Sequence, residues 1–167
     1  NRLFVAGLRE MSPDKHFYPD ANFTMRLTYG TVQDYYPEDA VHFDYFTTLK
    51  GVIEKEDPNN WEFVVPEKLK ELYQNKDYGR YGEGNVMKLC FLTDHDITGG
   101  NSGSPVINGN GELIGLAFDG NWEAMSGDIA FETELQKCIN VDIRYVMFVI
   151  DKYAGASHLI EEMTLVH

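Results

Sequence analysis

A chain of 167 residues, 43% of them hydrophobic, is the size of one ordinary domain and can bury a core, which argues against wholesale disorder. A formal net charge of −13 argues against nucleic acid or an anionic membrane as a partner, since both demand a basic surface. The longest apolar run, residues 145–150, falls far short of the roughly 20 residues that a bilayer crossing requires.

In chain order, residues 2–11 place Leu3, Phe4, Leu8 and Met11 at helical spacing, the tail of an amphipathic helix. A chain that opens inside a helix, without an initiator Met or a signal peptide, is expected to be a piece of something longer. Residues 14–22 make a polar connector. In residues 23–29, Phe23, Met25, Leu27 and Tyr29 alternate with Thr24, Arg26 and Thr28, a period of two that predicts a half-buried core strand. That strand weighs against reading Asn22-Phe23-Thr24 as an N-x-T glycosylation site. Gly30 is read as a turn, residues 31–36 as a hairpin partner, and residues 41–46 and 47–53 as further strands.

After a charged loop, Pro66 stands at N1 of a short helix that ends near Asn75, with Leu69, Leu72 and Tyr73 on one face. Residues 86–93 are a strand, and Asp94-His95-Asp96 lead into a turn built around Ser102. Beyond it, Val106-Ile107 and Leu113-Ile114 flank Asn108-Gly109-Asn110-Gly111, a hairpin in which Asn-Gly supplies positive φ. Residues 113–118 form a strand bounded by Asp119-Gly120, and residues 127–131 another. Residues 141–153 turn helical and largely buried, Gly155 stops them, and Ser157 caps a last helix through Met163. Many short strands with turns between them, and no strand–helix alternation, predict a mainly β antiparallel barrel or sandwich with closing helices.

The chemistry centres on Thr98-Gly99-Gly100-Asn101-Ser102-Gly103-Ser104-Pro105. Glycines on both sides of Ser102 permit a tight bend that exposes its hydroxyl. The N–H groups of Gly100 and Ser102 then converge in front of Oγ, where an oxyanion forms in acyl transfer. The G-x-S-x-G nucleophile elbow fits four places, but Ser104 occupies the fifth, and the strand grammar after Pro105 does not suit a helix. The chymotrypsin-type G-D-S-G-G-P fits better, with Asn101 for Asp and Ser104 for Gly. The plain alternative is a Gly/Ser-rich surface turn.

A serine nucleophile needs a base and a group to orient it. His95 lies seven residues before Ser102, too local to aim its ring at Oγ. His16 and His42 come early enough in the chain but sit in a connector and in a strand of the same barrel. His158 and His167 follow the serine, in or after the closing helix. The base and its carboxylate are therefore expected upstream of residue 1. Asp94-His95-Asp96 could be read as a metal site, but one His and two carboxylates in three residues is a solvated loop more often than a ligand set, so no metal and no cofactor is expected. Cys90 and Cys138 permit a disulfide without demanding one.

These residues resemble the bacterial dipeptidyl-peptidase 7 and 11 family of serine exopeptidases, in the chymotrypsin-like clan. The carrying stretches are residues 17–22, Met25-Arg26-Leu27-Thr28-Tyr29-Gly30, residues 98–105, residues 115–123, and Val141-Asp142-Ile143-Arg144-Tyr145. The resemblance runs nearly end to end and implies one of two antiparallel β-barrels, with a short internal helix. Residues 1–18 are then the end of an inserted helical domain, 19–140 the C-terminal barrel carrying the nucleophile, and 141–167 helices packed on it. It further implies that the base His and orienting Asp lie in an absent N-terminal half, that homodimers occur, and that the setting is the periplasm or cell surface of a Gram-negative bacterium.

By the same resemblance, Ser102 is the nucleophile, Gly100 and Ser102 form the oxyanion hole, and the substrate is a peptide with a free N-terminus from which a dipeptide is released. Asp119 matches a position that helps hold the substrate's α-amine. Two residues span at most about 7 Å, so a carboxylate beside the nucleophile can measure out that length. Gly120 matches a position where members preferring Asp or Glu before the cut carry Arg; Gly implies an open pocket and a hydrophobic preference, nearer the dipeptidyl-peptidase 7 type. Both residues also read as an ordinary Asp-Gly turn. Asn101 cannot form the ion pair by which an Asp there receives a freshly cut N-terminus in trypsin-like enzymes. The rival functions are a non-catalytic peptide-binding barrel and an endopeptidase of the same fold.

Overall fold

The computed structural model describes residues 2–15, 17, 22–127 and 129–166. Its elements are α1 (Arg2–Met11), β1 (Tyr35–Glu38), β2 (Val41–Phe43), β3 (Phe46–Thr48), α2 (Leu49–Glu54), α3 (Glu67–Asn75), β4 (Lys88–Thr93), β5 (Pro105–Ile107), β6 (Leu113–Gly120), β7 (Cys138–Asp142), α4 (Ile143–Phe148) and α5 (Ser157–Glu161). Strands β3, β4, β7, β6 and β5 make one antiparallel sheet in that order, and β1 and β2 pair only with each other.

The antiparallel pairing is as expected, but the closed barrel is not. The sheet is open, with β3 and β5 as its edges. Residues 23–29, expected as a core strand, form none among the described residues, and a lone bridge between Val32 and Thr93 is all that ties the following segment to β4 as a ladder. The chain is also more helical than "mainly β" implies. Leu49, Val65, Leu69, Tyr78, Tyr81, Met87 and Phe148 bury together, so α2, α3 and α4 enclose the main apolar core at one end of the sheet. Tyr78 meets Phe148 edge to face at 6.0 Å, a favoured aromatic arrangement. The Tyr81 hydroxyl donates to Asp151 Oδ2 at 2.8 Å.

Several local expectations hold. Residues 2–11 are a helix, with no buried residue on it. α3 spans the expected residues, although Pro66 is its N-cap rather than its first helical residue, and Lys76 ends it at φ 54°. The β5–β6 hairpin forms, but its positive φ falls on Gly111 (84°), and the Asn108 side chain ties the loop by accepting from the N–H groups of Asn110 and Glu112.

Other local expectations do not hold. Residues 49–54 coil into α2 where a strand was expected, burying Leu49 completely. Residues 127–131, of which Asp128 lies outside the described residues, form no strand and follow a 3₁₀ turn at Trp122–Ser126. Helix α4 begins only at Ile143, because Cys138–Asp142 is β7, flanked by both β4 and β6. Its buried side carries Cys138, Asn140 and Asp142, and its half-buried side Ile139 and Val141, the reverse of the usual pattern. Asn140 is satisfied there by donating to Thr93 Oγ1 at 2.8 Å and to the Phe91 carbonyl at 3.3 Å. Asp142 caps α4 by accepting from the Arg144 N–H at 2.9 Å and also pairs with the Arg144 guanidinium at 2.6 Å.

Candidate active site

The turn around Ser102 is pinned from both sides. The Gly103 N–H donates to the Ala117 carbonyl at 2.7 Å, and the Ala117 N–H donates to the Ser104 carbonyl at 2.9 Å, which fixes the turn to β6. Within the turn, the Ser104 N–H donates to the Asn101 carbonyl at 2.9 Å. Gly100 at φ 96° and Gly103 at φ 81° use backbone that a side chain would strain. The Ser102 side chain is exposed, and its hydroxyl makes one long bond, 3.4 Å, to the Phe118 carbonyl. The N–H groups of Gly100 and Ser102 donate to nothing among the described residues.

Asn101 holds the turn's other end. Its Oδ1 accepts from the Thr98 N–H at 3.0 Å and from the Arg26 guanidinium. Thr28 Oγ1 donates to the Asp96 carbonyl at 2.9 Å, and the Thr31 N–H to Asp94 Oδ1 at 2.5 Å. Residues 26–31 thus lie along residues 94–101 and meet them with their polar side, while Phe23, Met25, Leu27 and Tyr29 face outward, Met25 at 98% exposure. Gly30 is not a turn. A Cβ there would sit 2.3 Å from Asp94 Oδ1 and 2.8 Å from the His95 nitrogen, so only glycine permits the approach. An Asn between Gly100 and Ser102 was the sequence signal for a loop-capping side chain; nothing in the sequence pointed to Arg26 as its partner.

No described histidine serves Ser102. His42, on β2, meets Asp34 Oδ2 at 2.7 Å and stacks on Tyr36. Burial pushes the His95 imidazole below its ordinary pKa, against a smaller opposing pull from Asp94. His158 lies exposed on α5. His16 and His167 lie outside the described residues. No group of three or more metal-type ligands occurs among the described residues, and Asp94 is spent on Thr31.

Phe118, Asp119 and Gly120 form the end of β6 beside the serine. A bulge between Ala117 and Asp119 re-aims this end against β7. Asp119 is exposed, and its Oδ1 accepts from the Gly120 N–H at 2.8 Å. Gly120 lies against the 3₁₀ turn, where a Cβ would meet Ala124 Cβ at 2.9 Å. Cys90 and Cys138 are both free thiols, and burial pushes the Cys138 thiol up to about 11.

The chain is of the peptidase class. It belongs to the peptidase S46 family, whose family model matches residues 1–165. It is 66% identical over 167 residues to a dipeptidyl-peptidase 7 of Phocaeicola vulgatus, an alignment covering 99% of this chain and 23% of that protein. It is 54% identical over 166 residues to an Asp/Glu-specific dipeptidyl-peptidase of Porphyromonas gingivalis, covering 99% of this chain and 23% of that protein. The crystal structure of Porphyromonas endodontalis DPP11 in complex with the dipeptide Arg-Glu superposes with a TM-score of 0.86 at 51% identity, over 96% of this chain and 23% of that one. The chain thus spans about a quarter of the length of these relatives. No helix of the described residues is long and apolar enough to cross a membrane.

Proposed function

We propose that this chain is the nucleophile-bearing part of a serine dipeptidyl aminopeptidase. The observation that carries the reading is an exposed Ser102 on a glycine-framed turn, with the N–H groups of Gly100 and Ser102 unbonded among the described residues, in a chain 66% identical to a dipeptidyl-peptidase 7. Ser102 Oγ attacks the scissile carbonyl and forms an acyl-enzyme. The N–H groups of Gly100 and Ser102 receive the oxyanion, and water then releases the dipeptide. The base that takes the serine proton, and the carboxylate that orients it, come from the parent protein outside these residues; in support, no histidine among the described residues is bonded to Ser102.

Asp119 holds the substrate's α-amine. One carboxylate oxygen is fixed by the Gly120 N–H, so the carboxylate is oriented before substrate arrives. Gly120 leaves the neighbouring pocket without a charge, which favours a hydrophobic residue before the cut. The division into residues 1–18, 19–140 and 141–167, homodimerisation, and a periplasmic or cell-surface setting belong to the same reading.

The test uses the full-length parent and a fluorophosphonate probe. The probe labels Ser102, and Ser102→Ala removes both the label and dipeptide release. The isolated 167-residue piece releases no dipeptide, because losing the base costs about 10⁶ in kcat, as it does in subtilisin. An unlabelled Ser102 in active parent protein refutes the nucleophile, and undiminished cleavage of N-terminally blocked peptides refutes the exopeptidase.

A further inference from the structure

Asn121 follows the two residues proposed to read the substrate, and it is 8% exposed with every polar atom engaged. Its N–H donates to the Lys137 carbonyl at 2.9 Å, and its Oδ1 accepts from the Lys137 N–H at 2.9 Å. Its Nδ2 donates to the Leu135 carbonyl and to Glu123 Oε2, both at 2.8 Å. Glu123 Oε2 in turn accepts from the hydroxyl of Tyr35 on β1, at 3.1 Å. One side chain therefore ties the end of β6 to the segment entering β7, to the 3₁₀ turn and, through Glu123, to the β1–β2 hairpin. Without it, the bulged end of β6 beyond Asp119 would be held by the ladder to β7 and the two backbone bonds of Asn121, to Lys137 and from Ala124.

We infer that Asn121 is a positioning residue for substrate binding: it fixes the Gly120 N–H, which fixes the Asp119 carboxylate for the substrate's α-amine. The inference rests on the proposed role of Asp119. Fully satisfied buried amides of this kind hold a single geometry, because every alternative leaves a buried polar group unpaired. The effect falls on binding of the amine and not on the serine turn, which is pinned separately through Gly103 and Ala117.

The experiment is a double-mutant cycle in the full-length enzyme, with fluorophosphonate titration to count active sites. Asn121→Ala raises KM for free-amine dipeptidyl substrates about tenfold, with kcat per titrated site within about threefold of wild type. Asp119→Ala also raises KM, and adding Asn121→Ala to it raises KM less than about twofold further. Glu123→Ala keeps Asn121's backbone and Leu135 bonds, gives a smaller rise in the same direction, and answers the question should the Asn121 variant fail to fold. If Asp119→Ala raises KM but the Asn121 and Glu123 variants leave it unchanged, or add to it in full, the positioning role is wrong while the amine anchor stands. If Asp119→Ala leaves KM unchanged, the anchor itself is wrong and the inference goes with it.

Discussion

Replacing Gly120 by Arg tests the pocket, and two opposing effects can be sized beforehand. Gly120 does not use left-handed backbone, so the obstacle to a side chain is steric. A Cβ there stands 2.9 Å from Ala124 Cβ and 3.8 Å from the Lys137 carbonyl oxygen. Carbon atoms rest about 3.5–4.0 Å apart, so the 3₁₀ turn must yield by roughly 0.6–1 Å. Ala124 is not free to swing, because its own N–H is bonded to the Asn121 carbonyl at 3.0 Å. Overpacking of this kind costs about 1–3 kcal/mol. Against it, a guanidinium reading a substrate carboxylate is worth about 1.5–3 kcal/mol. That gain multiplies the preference for acidic over hydrophobic residues before the cut by roughly 10- to 150-fold.

Gly120→Ala separates the two effects, since it carries the clash without the charge. Both variants of the parent enzyme should lose melting temperature by similar amounts. Only the Arg variant should shift the ratio of kcat/KM between substrates with Glu and with Leu at the second position. If the Arg variant folds, takes the fluorophosphonate label and keeps that ratio within about twofold of the Ala variant, then position 120 does not read the substrate.

Two further outcomes follow from the interior of the sheet. Gly115→Ala in β6 would place a Cβ 2.7 Å from both Phe91 Cε1 and the Val141 carbonyl oxygen, and a ladder oxygen has nowhere to go. Urea unfolding should report a loss of about 1–3 kcal/mol, and a change below about 0.5 kcal/mol would contradict the packing. Cys138, held up to about 11 by burial, carries almost no thiolate at pH 8, and burial also raises Cys90. Peptide mapping after iodoacetamide at pH 8 should find Cys138 labelled at least about 100-fold more slowly in native than in urea-unfolded protein; comparable rates would show that the thiol is neither buried nor protonated.

Where local chemistry dictates local shape, the sequence was legible. Residues 2–11 and Glu67–Asn75 coil as their apolar spacing requires, and the glycines around Ser102 produce the bend they permit. Residues 49–54 were misread because Val52 and Ile53 favour strands locally, whereas burying Leu49 against Phe148 and Met87 is a tertiary gain that no window contains. The closed barrel failed on pairing rather than on composition: β1 and β2 satisfy one another, which leaves the edge strands β3 and β5 apart.

One further error lies beside the site. Residues 23–29 alternate with a period of two, and Arg26 and Thr28 turn inward while Phe23, Met25, Leu27 and Tyr29 lie exposed; in β7, Asn140 and Asp142 are likewise buried. Hydropathy assigns the apolar face to the core on the premise that buried polar atoms go unpaired. Here they are paired: Arg26 and Thr28 bind the approach to the serine turn, Asn140 binds Thr93 and the Phe91 carbonyl, and Asp142 binds Arg144. A turn that leaves the Ser102 side chain exposed is not fixed by apolar contact, which is indifferent to direction. It is held by hydrogen bonds, which are directional. Residues 26–31, which supply bonds to residues 94–101, turn their polar side toward them. The alternation is therefore reversed where the fold has to position a loop, and it is the reversal, not the alternation, that marks the neighbourhood of Ser102.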